Sequence, residues 1–351
     1  MSKKYTFTGE TMLSPDGTST LHKIVALKDF SDMRGDIEGG WIEKEENLSQ
    51  EGDCWVYSDA MVYGNATVKD NAVVCDEAIV RGNAMVYGSS EVHDTAMIYD
   101  NAQVYGEAFI GDAAQVYGKA SIGGTAQVYG NARVYDDASI RGNAQVYDDT
   151  RVHGTAWVSD NAQVYGDAHV YGGAFIGNAS QVYDEASIGG TAQVYGNAQV
   201  YEEASIRGNA QVYDGASIGG TAQVSDDAQV YGNAHVYYGA TIKGTAKVYG
   251  DAIVKGNAMV YDEASIRGNA QVYEDARVYG AAWVSDDAQV YGNAQVYDEA
   301  SIEGTAKVYD NAQVYGDAMV YDEAIVRGNA TVTDNAVVFG KVEIFDDCHT
   351  L

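Results

Sequence analysis

Residues 193–201 read Gln-Val-Tyr-Gly-Asn-Ala-Gln-Val-Tyr, and the unit inside them, Val-Tyr-Gly-Asn-Ala-Gln at Val194–Gln199, returns unchanged at Val290–Gln295. Working outward from that unit, every sixth residue is Val or Ile without a break from Val56 to Ile344. Four residues after each comes a small residue, from Ala60 to Ala336, with Ser90, Thr150 and Ser180 the only replacements of Ala. A fixed short period held this long describes one structural unit stacked many times.

Let the Val/Ile position be i. The Ala at i+4 lies two residues before the next Val, so Ala-Gln-Val-Tyr alternates small-in, polar-out, apolar-in, aromatic-out, the period of a strand with one buried face. Between these stretches sit Gly-Asn, Asp-Glu, Asp-Asp or Gly-Thr, residues that tolerate tight turns and positive φ. A helix is excluded, because a six-residue apolar repeat drifts around a 3.6-residue spiral and Gly recurs every turn or two. A four-residue strand and a two-residue corner make one side of a coil. Three sides close a triangular coil of 18 residues, and about 16 such coils would form a rod on the order of 75–80 Å long. The predicted fold is therefore all-β, a single-stranded parallel β-helix over residues 55–345, with a small N-terminal β cap (1–54) and a short tail (346–351). In the cap, Lys4–Leu13 and Thr18–Leu27 flank Ser14-Pro15-Asp16-Gly17, with the one proline well placed for a hairpin turn. Phe339 and Phe345 are candidates to cover the other end.

The hexad resembles the hexapeptide repeat of the left-handed parallel β-helix, the LpxA-like superfamily. Val56 with Ala60, Val62 with Ala66 and Ile122 with Ala126 occupy its two anchor slots. Tyr dominates at i+1, where that family favours Gly, Ala, Glu or Asp. Left-handedness is implied by the resemblance alone, since parallel crossovers are ordinarily right-handed. Gly39-Gly40-Trp41-Ile42, Leu48-Ser49-Gln50 and Gly52-Asp53-Cys54-Trp55 further resemble the opening segment of YdcK-type hexapeptide proteins, which carry a transferase label by repeat type.

The formal charge is −30, from 21 basic and 51 acidic side chains. Such a surface repels phosphate backbones and anionic lipid, so no direct nucleic-acid or membrane binding is expected. The first residues show no signal peptide and no apolar run reaches membrane-spanning length, which gives a cytoplasmic expectation. Cys54 and Cys348 fall in inward slots near opposite ends, Cys75 falls outward, and the linear spacing suggests no disulfide and no metal site.

Transferases of the resembled superfamily use a groove histidine as base and carry loops. Here His93 and His153 occupy i+1, His169 and His235 occupy i+5, and none has a loop beside it. The expectation is that the chain is not an enzyme, with no catalytic residue, metal or cofactor. The outward faces hold more information. All but Tyr5 and Tyr238 of the 28 tyrosines occupy i+1. At 18 residues per coil they would stack in ladders: Tyr129, Tyr147, Tyr165, Tyr183 and Tyr201; Tyr195, Tyr213, Tyr231 and Tyr249; Tyr261, Tyr279, Tyr297 and Tyr315. Gln at i+5 forms adjacent columns. Acids gather at the corners, as in Asp148-Asp149, Asp184-Glu185, Glu202-Glu203 and Asp286-Asp287. The functional expectation is a non-catalytic structural or protein-interaction rod acting through its Tyr/Gln faces and acidic corners, on a protein partner or by self-association, as monomer or trimer. Two alternatives stay open: a polyanion mimic inhibiting a DNA-binding protein, and an acyl- or acetyltransferase of the hexapeptide-repeat type.

Overall fold

A computed structural model describes residues 3–30 and 35–345. It is an all-β parallel solenoid of about 17 turns on three sheets, essentially without helix. Two compact units divide the chain, Met1–Gly173 and Ala174–Leu351.

The first unit opens with β1 (Tyr5–Leu13) and β2 (Thr20–Ala26), an antiparallel hairpin with a register shift between Phe7 and Thr11. Its turn is tied by Asp16, whose Oδ1 accepts from the Ser14 and Thr18 hydroxyls at 2.6 and 2.7 Å and from the Thr18 N–H at 3.1 Å. The next strand, β3 (Glu38–Ile42), is the adaptor. It pairs antiparallel with β2 through His22↔Ile42 and parallel with the first full coil through Trp41↔Met61 and Ile42↔Val62. Gly39 and Gly40 are required at this junction. A Cβ on Gly39 would lie 2.6 Å from the Trp55 ring, and one on Gly40 would lie 2.5 Å from the Ala60 carbonyl oxygen. Leu48 then bridges Val68, so this opening coil runs ahead of the repeat and adds a turn to the number expected. Beneath it lies buried Lys4, whose Nζ donates to the Cys54 and Gly52 carbonyls at 2.9 and 3.3 Å. Buried Tyr5 donates its hydroxyl to the Leu48 carbonyl at 2.7 Å.

Within each unit the hexads repeat one backbone pattern. Regular strand covers only i−1 and i, as in Gln127–Val128 or Gln289–Val290, half the four residues expected, and reaches i+1 at Ile325–Arg327 and Glu343–Phe345. The remainder is turn: the amide at i+4 donates back to the carbonyl at i+1, as from Ala138 to Tyr135 at 3.3 Å. That turn demands positive φ at i+2, a region costly for most side chains, and Gly, Asp and Asn fill it nearly everywhere. Each coil pairs in register with residues 18 further on, for example Gln127↔Gln145 and Gln271↔Gln289. Amides at i−1, i+1 and i+3 all donate to the next coil, as Gln145, Tyr147 and Asn143 do to Ala162, Val164 and Asp160. Few buried backbone groups are thereby left without a partner.

The core is the two inward slots. Val/Ile at i and Ala at i+4 have no exposure through both units until the last coil. Ser90, Thr150 and Ser180 are equally buried in the small slot, where their hydroxyls donate to the Tyr87, Tyr147 and Gly177 carbonyls at 2.9, 2.7 and 2.7 Å. Those bonds explain how polar residues are accepted there. At the second unit's end, Phe339 and Phe345 are 56% and 50% exposed and do not cover the core as anticipated. Phe339 stacks on Tyr321 and Phe345 lies under the Arg327 guanidinium instead. Cys348 and His349 lie outside the described residues.

Candidate functional site: aromatic ladders, acidic corners and histidine clusters

An 18-residue period places every i+1 side chain over its counterpart in the next coil, so tyrosines at consecutive i+1 slots must stack. In the first unit Tyr99, Tyr117, Tyr135 and His153 stack at 4.8, 4.9 and 4.7 Å, within 4° of parallel. Tyr129, Tyr147 and Tyr165 do so at 4.9 and 5.0 Å. In the second unit Tyr183 stacks on Tyr201 at 5.3 Å, and Tyr195, Tyr213, Tyr231 and Tyr249 form a ladder at 4.8–5.0 Å. Tyr261, Tyr279, Tyr297 and Tyr315 form another at 4.7–4.9 Å. All thirteen ladder tyrosines named from the sequence are half-buried.

The first ring of several ladders is covered by a cation: Lys69 on Tyr87, Arg81 on Tyr99, Lys243 on Tyr261 and Lys255 on Tyr273, at 4.9–5.3 Å. Ring faces are thus occupied within the chain. A visitor meets ring edges and hydroxyls at the spacing of β-strands. Burial, and then the neighbouring phenols, push the mid-ladder hydroxyls of Tyr147, Tyr213 and Tyr297 up to about 12.

The acidic corners are exposed, and many are engaged. Asp148 and Asp286 sit at φ of 59° and 60°, and each Oδ2 accepts the amide of the corner one coil on, from Gly166 at 3.2 Å and Gly304 at 3.1 Å. Asp136, Asp226 and Asp310 repeat the arrangement. The second corner acid serves in a different row: Asp287 accepts from Asn269 Nδ2 at 2.9 Å. Asp184 and Glu202 share the positive φ, and Asp149, Glu185 and Glu203 follow in exposed third positions.

The histidines are less scattered than the sequence implied. His153 Nε2 and His169 Nε2 face each other at 2.6 Å, and Asp136 Oδ2 lies 3.6 Å from His153 Nδ1. Burial, then His153 and Arg151, hold His169 below the usual imidazole range. His235 is hydrogen-bonded to the Tyr237 hydroxyl and His22 packs on Phe7. His93 Nδ1 approaches Cys75 Sγ at 2.9 Å, and Cys75 Sγ lies 3.2 Å from Asp76 Oδ2. Burial, then the Asp76 carboxylate, pushes the Cys75 thiol up to about 12. The expectation that no metal-type arrangement exists therefore needs correction: Cys75, Asp76 and His93 offer ligand atoms within 4.8 Å of one another. Linear spacing hid the cluster, because Cys75 and His93 are one whole coil apart.

Comparison with known proteins adds two findings. The family model described as the YdcK beta solenoid repeat matches residues 60–76, 126–142, 222–238, 270–286 and 312–328. A curated protein of Escherichia coli (strain K12), "Uncharacterized acetyltransferase YdcK", is 47% identical over 45 residues, 12% of this chain. The chain spans only 14% of that relative's length. The expectation of a non-enzyme is overturned by this relative, which is an acetyltransferase by name. In those five stretches the chain is similar to the YdcK beta solenoid repeat, on the β-solenoid architecture described above.

Proposed function

We propose that this YdcK-like solenoid is a protein-binding scaffold whose tyrosine and glutamine columns form the docking face. The observation that carries the reading is the row of phenol hydroxyls at β-strand spacing, as in Tyr261, Tyr279, Tyr297 and Tyr315. Beside them run glutamine columns: Tyr279 and Tyr297 hydroxyls donate to Gln295 and Gln313 Oε1 at 3.4 and 3.5 Å. A comb of donors and acceptors at one spacing suits a partner presenting extended backbone or a row of polar side chains. Net charge favours a cationic partner over a second copy. The fixed stacking would keep the ordering cost of binding low.

The test is a capture experiment comparing the native chain with Tyr279→Phe/Tyr297→Phe/Tyr315→Phe. Phenylalanine retains the stack and removes the hydroxyls. Proteins retained by the native chain and lost by the triple variant support the scaffold; an identical set from both rejects the ladder as the docking face.

Acetyl transfer is a second reading, favoured by the relative's name. In it the His153–His169 pair is the candidate base, since burial favours the neutral form of His169, which can accept a proton from an acceptor hydroxyl or amine. Acetyl-CoA turnover abolished by His169→Ala supports it, and turnover unaffected by that change removes the pair from the mechanism. Polyanion mimicry has less support, because the corner carboxylates have a structural use as acceptors for the adjoining coil.

A further inference from the structure

The i+1 column that carries Tyr129, Tyr147 and Tyr165 reads Tyr57, Cys75, His93 and Gly111 in the coils before them. Two consecutive tyrosine slots are thus given to a thiol and an imidazole, the two side chains with the greatest affinity for borderline transition metals. A corner aspartate stands beside them. The gaps are 2.9 Å for Cys75 Sγ to His93 Nδ1, 3.2 Å for Cys75 Sγ to Asp76 Oδ2, and 3.7 Å for His93 Nδ1 to Asp76 Oδ2. Tetrahedral zinc, with bonds of roughly 2.0–2.3 Å, would set its ligands about 3.3–3.6 Å apart, so sub-ångström side-chain shifts suffice.

The surroundings favour the same reading. His93 Nε2 lies 3.1 Å from Glu91 Oε2, a partner that keeps the proton on Nε2 and turns the Nδ1 lone pair to Cys75 and Asp76. Asp76 Oδ2 is held by the Asp94 amide at 3.3 Å, and the His93 ring packs against Phe109 at 5.2 Å. Gly111 is part of the design of this face: a Cβ there would lie 2.7 Å from the Phe109 ring, whose place behind His93 it would contest. Cys75 and His93 are half-buried and Asp76 is exposed, which leaves the outer side of the cluster to solvent.

We propose that Cys75 Sγ, Asp76 Oδ2 and His93 Nδ1 form a zinc-class divalent metal site, with Glu91 orienting His93 and the fourth position open to water or an exogenous ligand. Binding replaces the thiol proton, which leaves to solvent, with a sulfur–metal bond. Three protein ligands and an open position are the arrangement of reactive rather than closed structural zinc. The site shares an i+1 column with Tyr129, Tyr147 and Tyr165 but uses none of their side chains, and it stands whether or not the scaffold reading holds.

The experiment is titration of the purified, reduced full chain with Co²⁺ alone, read by thiolate-to-cobalt charge-transfer absorption and d–d bands, followed by displacement with Zn²⁺. The expected result is one saturating equivalent, with the charge-transfer band abolished in Cys75→Ser, binding lost in His93→Ala, and affinity reduced about tenfold or more in Glu91→Gln. Cys54→Ser should leave the band intact. Far-UV circular dichroism of each variant separates loss of ligand from loss of fold. No thiolate band in the native chain overturns the proposal, and so does a band that survives Cys75→Ser.

Discussion

Replacing Asp148 with alanine removes two things at once: a side chain that tolerates φ of 59° and an acceptor for the Gly166 amide at 3.2 Å. The second loss is a solvent-exposed hydrogen bond to a carboxylate, about 1 kcal/mol. The first is part of the roughly 1–2 kcal/mol that an L-residue pays in the left-handed region, from which aspartate is partly excused by local hydrogen bonding. Together alanine should cost about 1.5–2 kcal/mol. Glycine forfeits the same bond and adds unfolded-state freedom but relieves the backbone, so it should cost about 1 kcal/mol. Asparagine keeps both the conformation and an acceptor oxygen, and should fall within about 0.5 kcal/mol of the parent. A stacked array need not unfold in one step, so the readout should be local. Native-state hydrogen exchange at the Gly166 amide serves, with roughly ten- to thirtyfold faster exchange in Asp148→Ala and little change in Asp148→Asn. Equal protection in the alanine and asparagine variants would refute the argument. It would mean that the corner carboxylates do not hold one coil to the next and are free for another role.

Three further outcomes follow from the same geometry. Tyr147, Tyr213 and Tyr297 have folded values raised to about 12 from an ordinary 10, so the stabilisation they give is complete below pH 10 and is lost as pH rises through 12; phenolate absorbance should show late-ionising tyrosines that merge with the rest in denaturant. Asp16 is held down at about 2 by the Ser14 and Thr18 hydroxyls and the Thr18 amide, so its contribution to the hairpin is present above pH 4 and is lost as pH falls toward 2; Asp16→Asn should flatten the acid limb of hairpin amide protection. Tyr238 is 67% exposed at φ of 58°, so Tyr238→Asn should raise local stability by about 0.5–1 kcal/mol, measured by exchange of the surrounding coil amides.

Much of the fold could be read from two slots. Val/Ile at i and Ala at i+4 define which face is inside, and the structure leaves both without exposure until the last coil. The ladders follow with no further assumption, since identical side chains one coil apart have nowhere else to go. What the hexad concealed was the extent of the turn. Ala looks like a strand residue in Ala-Gln-Val-Tyr, yet its amide closes a turn on the carbonyl at i+1, so extended pairing shrinks to i−1 and i. The acids of the corners were legible as positions and misleading as chemistry, because a carboxylate at positive φ points along the stack and finds the next amide.

The metal-like cluster was hidden by the distance measure applied to it. Spacings such as two cysteines separated by two residues describe ligands on one turn or hairpin, where sequence neighbours are spatial neighbours. In this chain the nearest neighbours of an outward side chain are 18 residues away, as the 2.9 Å approach of Cys75 to His93 and the 4.9 Å stacking of Tyr129 on Tyr147 show. Folding the sequence into rows of 18 puts Cys75 over His93, with Asp76 and Glu91 alongside, before any coordinates are known. By the same arithmetic His153 and His169 are 16 apart, which joins an i+1 slot to the i+5 slot beside the next coil's tyrosine, and the structure brings their Nε2 atoms to 2.6 Å. In a solenoid, chemistry is therefore sought first among residues within two of a whole coil, and in the first unit the i+1 slots of Cys75, His93 and His153 are where the thiol and imidazole groups replace tyrosine.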